Sequence, residues 1–135
     1  MAASGNWRES LHIEGVSHGN NPIPAGTRVG NMVFSGGIMG TDPATGKVPE
    51  NDPARQTELA FQHLKSLIEN AGGTLEDVGR VTVFAKDLSI REHVNREWVK
   101  HFPDEHSRPS RHTQLTDLRG GMLIQLEVVA VLKNR

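Results

Sequence analysis

The chain has 135 residues, enough for one core of ordinary size and too few for two. Lys plus Arg at 15 against Asp plus Glu at 16 gives a net charge of -1, which lacks the basic footprint of a nucleic-acid partner. The absence of cysteine excludes a disulfide framework, a thiolate nucleophile and any Cys-ligated zinc or iron–sulfur site.

Hydrophobic residues make up 36% of the chain, little for a globular protein, but they recur periodically and so argue for a folded domain. Residues 1–9 are small and polar apart from Trp7, and they hold no basic segment followed by an apolar one. No later run approaches the roughly 18 apolar residues of a membrane span, so a cytoplasmic location without a membrane partner is expected. No repeat or linker divides the chain, and residues 1–135 read as a single domain with 1–19 as an N-terminal extension and first strand.

Leu11, Ile13 and Val16 predict that weak first strand, and the turn formers of His18-Gly-Asn-Asn-Pro-Ile-Pro-Ala-Gly26 predict a loop after it. Val29 to Ile38 reads as a buried strand ending in the glycines of Ser35-Gly36-Gly37, which permit close backbone approach, and Asp42-Pro-Ala-Thr-Gly46 as a turn closing a hairpin. Asp52 and Pro53 form an N-cap and first-turn pair. Ala60, Leu64, Leu67, Ile68 and Ala71 follow at helical spacing, and Gly72 ends the helix. Gly79 to Lys86 has the β-branched density of a strand, giving a βαβ-like crossover. Ser89 and Glu92 have capping-box spacing before a second helix with the stripe Ile90, Val94, Trp98 and Phe102, which Pro103 ends. Two more strands, Arg111 to Leu115 and Met122 to Leu132, are joined through Arg119-Gly-Gly. Helices over one sheet face would leave the other for a partner subunit to hide.

Candidate chemistry begins at Arg111, where a five-donor guanidinium at the start of a strand can clamp a carboxylate bidentately or simply be solvated. Glu127 lies in an apolar strand and shares a face with Gln125 by alternation. It is expected to be a buried carboxylate in need of a partner or a catalytic purpose. His18 in the loop and His112 beside Arg111 are candidates for proton transfer. His93, Glu97 and His101 recur every fourth residue and border the apolar stripe; the line is expected to face solvent and to hold no metal. Ser35-Gly36-Gly37 lacks the spacing and following helix of a phosphate loop, and its glycines are read as admitting substrate against the backbone.

Gly30-Asn-Met, Asp42-Pro-Ala-Thr-Gly46, Val81-Thr-Val-Phe-Ala-Lys-Asp-Leu88, Val94-Asn95, Pro109-Ser-Arg111 and Gln125-Leu-Glu-Val-Val-Ala130 occur in this order with spacing that resembles the RidA (YjgF) family, also labelled L-PSP endoribonuclease. The resemblance covers about residues 20 to 132. It implies an α+β, chorismate-mutase-like fold with a mixed sheet and two helices on one face, assembled as a homotrimer with sites at subunit clefts. It also implies hydrolysis of small carboxylated enamines and imines, of the 2-aminoacrylate or 2-aminomuconate type, to keto acids and ammonia without cofactor or metal.

By position, the resemblance makes Arg111 the arginine that holds the substrate carboxylate and Asn95 a residue near the cleft. The family glutamate associated with the attacking water falls at Gln125, the loop tyrosine falls at Ile23, and the loop around Arg119 to Gly121 is one residue shorter. Glutamine can orient water but cannot accept its proton. The expected site therefore has Arg111 on the carboxylate with Asn95 and Ile23 nearby, the backbone at Gly36 and Gly37 on the other end of the substrate, and Gln125 with His18 or Glu127 managing water and protons. The alternatives are a non-catalytic binder of small 2-keto or amino acids and, against the net charge, an endoribonuclease.

Overall fold

The apolar periodicities resolve, in a computed structural model that describes residues 6–133, into a seven-stranded mixed sheet with two helices on one face. The first four strands are β1 (Arg8–Leu11), β2 (Gly26–Val29), β3 (Met32–Ser35) and β4 (Ile38–Met39). Helix α1 (Pro53–Asn70), β5 (Val78–Ala85), α2 (Arg91–His101), β6 (Ser110–Leu115) and β7 (Ile124–Val131) follow. Residues 1–5 of the expected N-terminal extension lie outside the described residues.

The strand order is β1-β2-β3-β7-β5-β6, with β4 continuing β3 along β7. All pairings are antiparallel except β5 with β6, which α2 joins as adjacent parallel strands. Helix α1 makes the wider crossover that leaves room for β7 between β4 and β5. Alternation along β7 buries Ile124, Leu126, Val128 and Ala130 beneath the helices and turns Gln125, Glu127, Val129 and Val131 to the opposite face. That face carries Phe34 and Val131 exposed and Met32, Phe84 and Val129 half-buried, with no element of the described chain over it.

Helix α1 starts and stops where its signals predict: the Asp52 carboxylate accepts the Arg55 N–H at 3.0 Å, and Gly72 takes φ +92° just past the end. Gln56, fully buried on α1, ties three segments together. Its amide donates to Pro49 O at 2.9 Å and Gly121 O at 3.0 Å, and its oxygen accepts the Leu123 N–H at 2.9 Å.

Three expectations are corrected. The first strand is the polar Arg8–Leu11, with Ile13 buried beyond its end. It is held at the sheet edge by Arg28, which bonds Glu9 through Nε and Nη2 and the Gly30 carbonyl through Nη1. The expected strand Val29 to Ile38 is the second limb of a hairpin, because Gly30 at φ +59° folds the chain back and pairs Val29 with Met32. The Ser89–Glu92 box does not form: Asp87 accepts both the Ser89 N–H and its hydroxyl, making a short 3-10 turn over Leu88–Ile90 that runs into α2. That local bond holds the Asp87 carboxyl below its ordinary range.

Candidate functional site

Arg111 reaches its position through the parallel register of β5 and β6. It lies opposite Val81, whose side chain is buried under the helices, so Arg111 points to the helix side of the sheet. There α2 presents Arg91, Asn95 and Trp98 at i, i+4 and i+7, one face of a helix. Arg111 Nη2 donates to Asn95 Oδ1 at 2.7 Å, and its Cζ lies 4.9 Å from the Trp98 ring centroid. Burial pushes the guanidinium below its ordinary value, and the charge of Arg91 pushes the same way, but arginine stays protonated in proteins. No carboxylate pairs with Arg111 among the described residues, so most of its N–H donors remain open to a ligand.

A second polar cluster forms where β3 gives way to β4. Phe34 pairs with Val129 and Ile38 with Leu126, so one extra residue is accommodated over Ser35-Gly36-Gly37. The Val128 N–H in this gap donates to Ser35 Oγ at 2.8 Å, and the Gly36 N–H returns to Ala25 O at 2.9 Å. The Gln125 side chain lies against the Gly37 backbone, where a Cβ on residue 37 would stand 2.3 Å from its Nε2. Only glycine admits it undisturbed. The Gln125 amide is half-buried and has no hydrogen-bond partner among the described residues.

The loop before β2 runs into this cluster through Ala25. His18 is half-buried there with its ring unpartnered among the described residues, and Ile23, 55% exposed, lies two residues before Ala25. Glu127 was expected to be buried; it is exposed, because its face of β7 is the one no helix covers. His112 is also exposed on that face, and Thr82 pairs with Glu127 on one side and His112 on the other.

The structure thus joins Arg111 to Asn95, sets Gln125 against Gly37 and ties Gly36 to the loop before β2 through Ala25, but it does not bring the Arg111 and Gln125 groups together. They occupy opposite faces of one sheet.

The line of His93, Glu97 and His101 does not face solvent as expected. Glu97 is buried with its Oε2 accepting from Lys100 Nζ at 3.4 Å and its Oε1 making no hydrogen bond but lying 3.9 Å from His101 Nδ1; His93 Nδ1 is a buried atom without a hydrogen bond among the described residues, and His101 Nδ1 bonds the Glu97 carbonyl at 2.8 Å. The reason is the contact of α2 with α1, which covers this flank of the helix; Phe61 of α1 lies with its ring centroid 5.4 Å from His101. No group of three such residues able to hold a metal occurs among the described residues. Sequence reasoning missed Trp98 and Arg91 as neighbours of Arg111, although their spacing to Asn95 was a readable sign that all three share a helix face.

A profile of the family described as Endoribonuclease L-PSP matches residues 20–132. The chain is 31% identical over 124 residues to a RutC family protein of Pyrococcus abyssi, covering 91% of this chain and 96% of that one. It is 31% identical over 125 residues to the 2-iminobutanoate/2-iminopropanoate deaminase of Escherichia coli K12, covering 91% and 97%. Identity to the 3-aminoacrylate deaminase RutC of Acinetobacter baylyi is 30% over 124 residues, covering 91% and 97%. Among solved structures, the Escherichia coli YjgF gene product superposes with a TM-score of 0.80 at 29% identity, covering 94% of this chain and 99% of that one.

Proposed function

Because the chain belongs to the RidA (YjgF) family, we propose that it is an imine/enamine deaminase that takes small carboxylated substrates and releases a keto acid and ammonia. The observation that carries this reading is Arg111: a guanidinium oriented by Asn95 and Trp98, partly desolvated, and left without a carboxylate of its own. The substrate carboxylate docks on its free donors, which leaves the adjacent C=N carbon open to water. Water adds to that carbon, its proton passes to the imine nitrogen, and the resulting carbinolamine collapses to C=O as ammonia leaves; an enamine first tautomerises to the imine.

In this scheme the Gln125 amide hydrogen-bonds the attacking water, and the backbone at Gly36 and Gly37 receives the far end of the substrate. An amide does not take the proton, so that step falls to His18 on the adjoining loop or Glu127 on the same strand face. Ile23 lines the entrance.

The opposite orientation of the Arg111 and Gln125 clusters is satisfied when a second copy brings its Arg111 edge to the Gln125 face. The bare sheet face with Phe34 and Val131 gives that contact an apolar centre. A homotrimer closes the arrangement, and light scattering should report about 44 kDa, three times the 14.8 kDa chain mass; a monomer at micromolar concentration would defeat it. The activity is tested by generating 2-aminoacrylate or 2-iminobutanoate in place with an amino-acid oxidase or dehydratase and following competition with semicarbazide and ammonia release. Faster keto acid formation with the protein supports the reading.

Gln125 favours one second reading, a binder of 2-keto or amino acids without turnover. Saturable binding of 2-oxobutanoate with ammonia release at the uncatalysed rate would favour it. The net charge of -1 gives an endoribonuclease no comparable support.

A further inference from the structure

A cleft of about 590 Å³ runs along α1 and shares no lining residue with the Arg111 and Gln125 groups. One side is the face of α1 that carries His63, Ser66 and Asn70 at i, i+3 and i+7; the other is the segment Ile13–Gly15 after β1, with Pro43 of the turn after β4. These walls fit closely. Ile13 is buried, and Gly15, at φ +79°, lies so near the turn that a Cβ on it would stand 2.7 Å from Pro43 Cβ. His63 is only 5% exposed, yet half of its hydrogen-bonding capacity is unused. Its Nε2 lies 2.6 Å from the Thr41 carbonyl, which can only accept, so Nε2 carries the proton and Nδ1 the lone pair of the neutral ring. Nδ1 has no hydrogen-bond partner among the described residues and is not sealed off by them, which leaves its lone pair open to the cleft. Asn70 is fixed in the same sense: its Nδ2 donates to the His12 carbonyl at 2.8 Å, and Oδ1 remains an acceptor. Glu14 adds an exposed carboxylate with no ion pair among the described residues. No lysine or arginine lines the cleft among those residues. An anion would meet a carboxylate and no cation there, whereas a cation with several N–H donors meets an acceptor on each wall.

We propose that this cleft is a second binding site, one for a small aliphatic primary amine in its ammonium form. The ammonium donates to His63 Nδ1, Asn70 Oδ1 and the Glu14 carboxylate, matching three N–H groups to three acceptors, and the alkyl chain lies against Ile13 and Pro43. His63 is the discriminating group. A lone pair held in place by a buried hydrogen bond on the other side of its ring is satisfied by a donor and by nothing else among the described residues, so it favours N–H groups over bare charge. The site stands apart from the proposed deaminase residues and does not depend on that reading.

Three probes of equal heavy-atom count separate the contributions: n-butylamine has charge and N–H donors, n-butanol has a hydroxyl and no charge, and tetramethylammonium has charge and no donor. At about pH 8 the amine is still protonated. NMR titration of the full chain should show saturable binding of butylamine with a Kd on the order of 1 mM, within the limit for a ligand of this size, and about tenfold weaker binding of the other two. The Nδ1 resonance of His63 in a nitrogen-labelled sample should move along the same saturation curve. Glu14 is exposed, so its substitution does not threaten the fold. In Glu14→Gln the affinity for butylamine should fall about tenfold, and in Glu14→Asp part of it should return. Equal binding of tetramethylammonium would reduce the effect to diffuse charge, and equal binding of butanol would reduce it to apolar contact; either result would overturn the proposal. So would a His63 Nδ1 resonance that stays still, an affinity unchanged in Glu14→Gln, or the absence of saturable butylamine binding.

Discussion

The Arg111 and Gln125 clusters are both polar sites on one sheet, and they are held in contrasting ways. Arg111 is positioned by other side chains, a hydrogen bond that it donates to Asn95 of α2 and the face of Trp98, and it brings a permanent charge. Gln125 is positioned by backbone: the interruption between β3 and β4 puts Gly37 beneath it, and its amide makes no hydrogen bond among the described residues. On the proposed reading the first cluster attracts an anion and the second admits a neutral group such as water. If the proposed function holds, binding falls to one and turnover to the other, and substitutions at the two should separate in affinity and rate.

The largest effect is expected at Gln125. Gln125→Glu supplies a carboxylate able to take the water's proton, and on the deaminase reading it should raise the turnover of 2-aminoacrylate by roughly the 10²- to 10⁴-fold of a positioned general base. Affinity for 2-oxobutanoate should change far less. Rapid hydrolysis by the unaltered protein, with no gain in the variant, would show that His18 or Glu127 already moves the proton. Arg111→Ala should do the reverse, weakening 2-oxobutanoate binding by about 2 to 5 kcal/mol in a calorimeter while the fold persists.

These contrasts bear on what the sequence could disclose. Helix α1 was legible because its Asp52-Pro53 start, apolar stripe and Gly72 stop are all local signals. The β2–β3 hairpin was missed although its signal was present: Gly30-Asn31 is a two-residue turn pair between Val29 and Met32, and reading the flanking residues as one strand passed over it. Arg111 could be singled out by type and position, and Asn95 by the resemblance, but their bond depends on the register of β6 against β5. Alternation correctly put Glu127 and Gln125 on one face; which face the helices cover is a property of the whole sheet, so the exposure of Glu127 was out of reach. The burial of Glu97 was hidden for the same reason, because α1 covers it from outside the helix that carries it.

Gly37→Ala tests the backbone side of the comparison with a smaller effect. The new Cβ would meet the far end of Gln125, a flexible group, so the side chain swings aside at a cost of about 1 to 3 kcal/mol in denaturant-measured stability. Turnover should fall while 2-oxobutanoate affinity holds within a few-fold. Equal losses in both would mean that the glycine supports the carboxylate end of the substrate as well, and the division of labour would not stand.

The smallest effect, and the finest test of the side-chain cluster, belongs to Trp98. Its indole is almost wholly buried, stacks obliquely on Phe102 with centroids 4.8 Å apart, and offers its face to Arg111. Trp98→Phe keeps an aromatic ring in the core but weakens the cation–π attraction, which is strongest for tryptophan and worth roughly 0.5 to 2 kcal/mol in all. A two- to fivefold rise in the Kd for 2-oxobutanoate follows from losing about 0.5 to 1 kcal/mol of it. Some stability is lost too, from the smaller ring, so affinity must be measured well below the melting temperature of the variant. Fluorescence gives an independent reading: the chain has 2 tryptophans, and Trp7 is 74% exposed, far from any change that ligand makes at Arg111 if the clamp is correct. Ligand should therefore alter emission in the wild type and leave Trp98→Phe, where only Trp7 remains, nearly silent. A ligand-dependent signal of full size in that variant would place the bound acid away from Trp98, and with it away from Arg111.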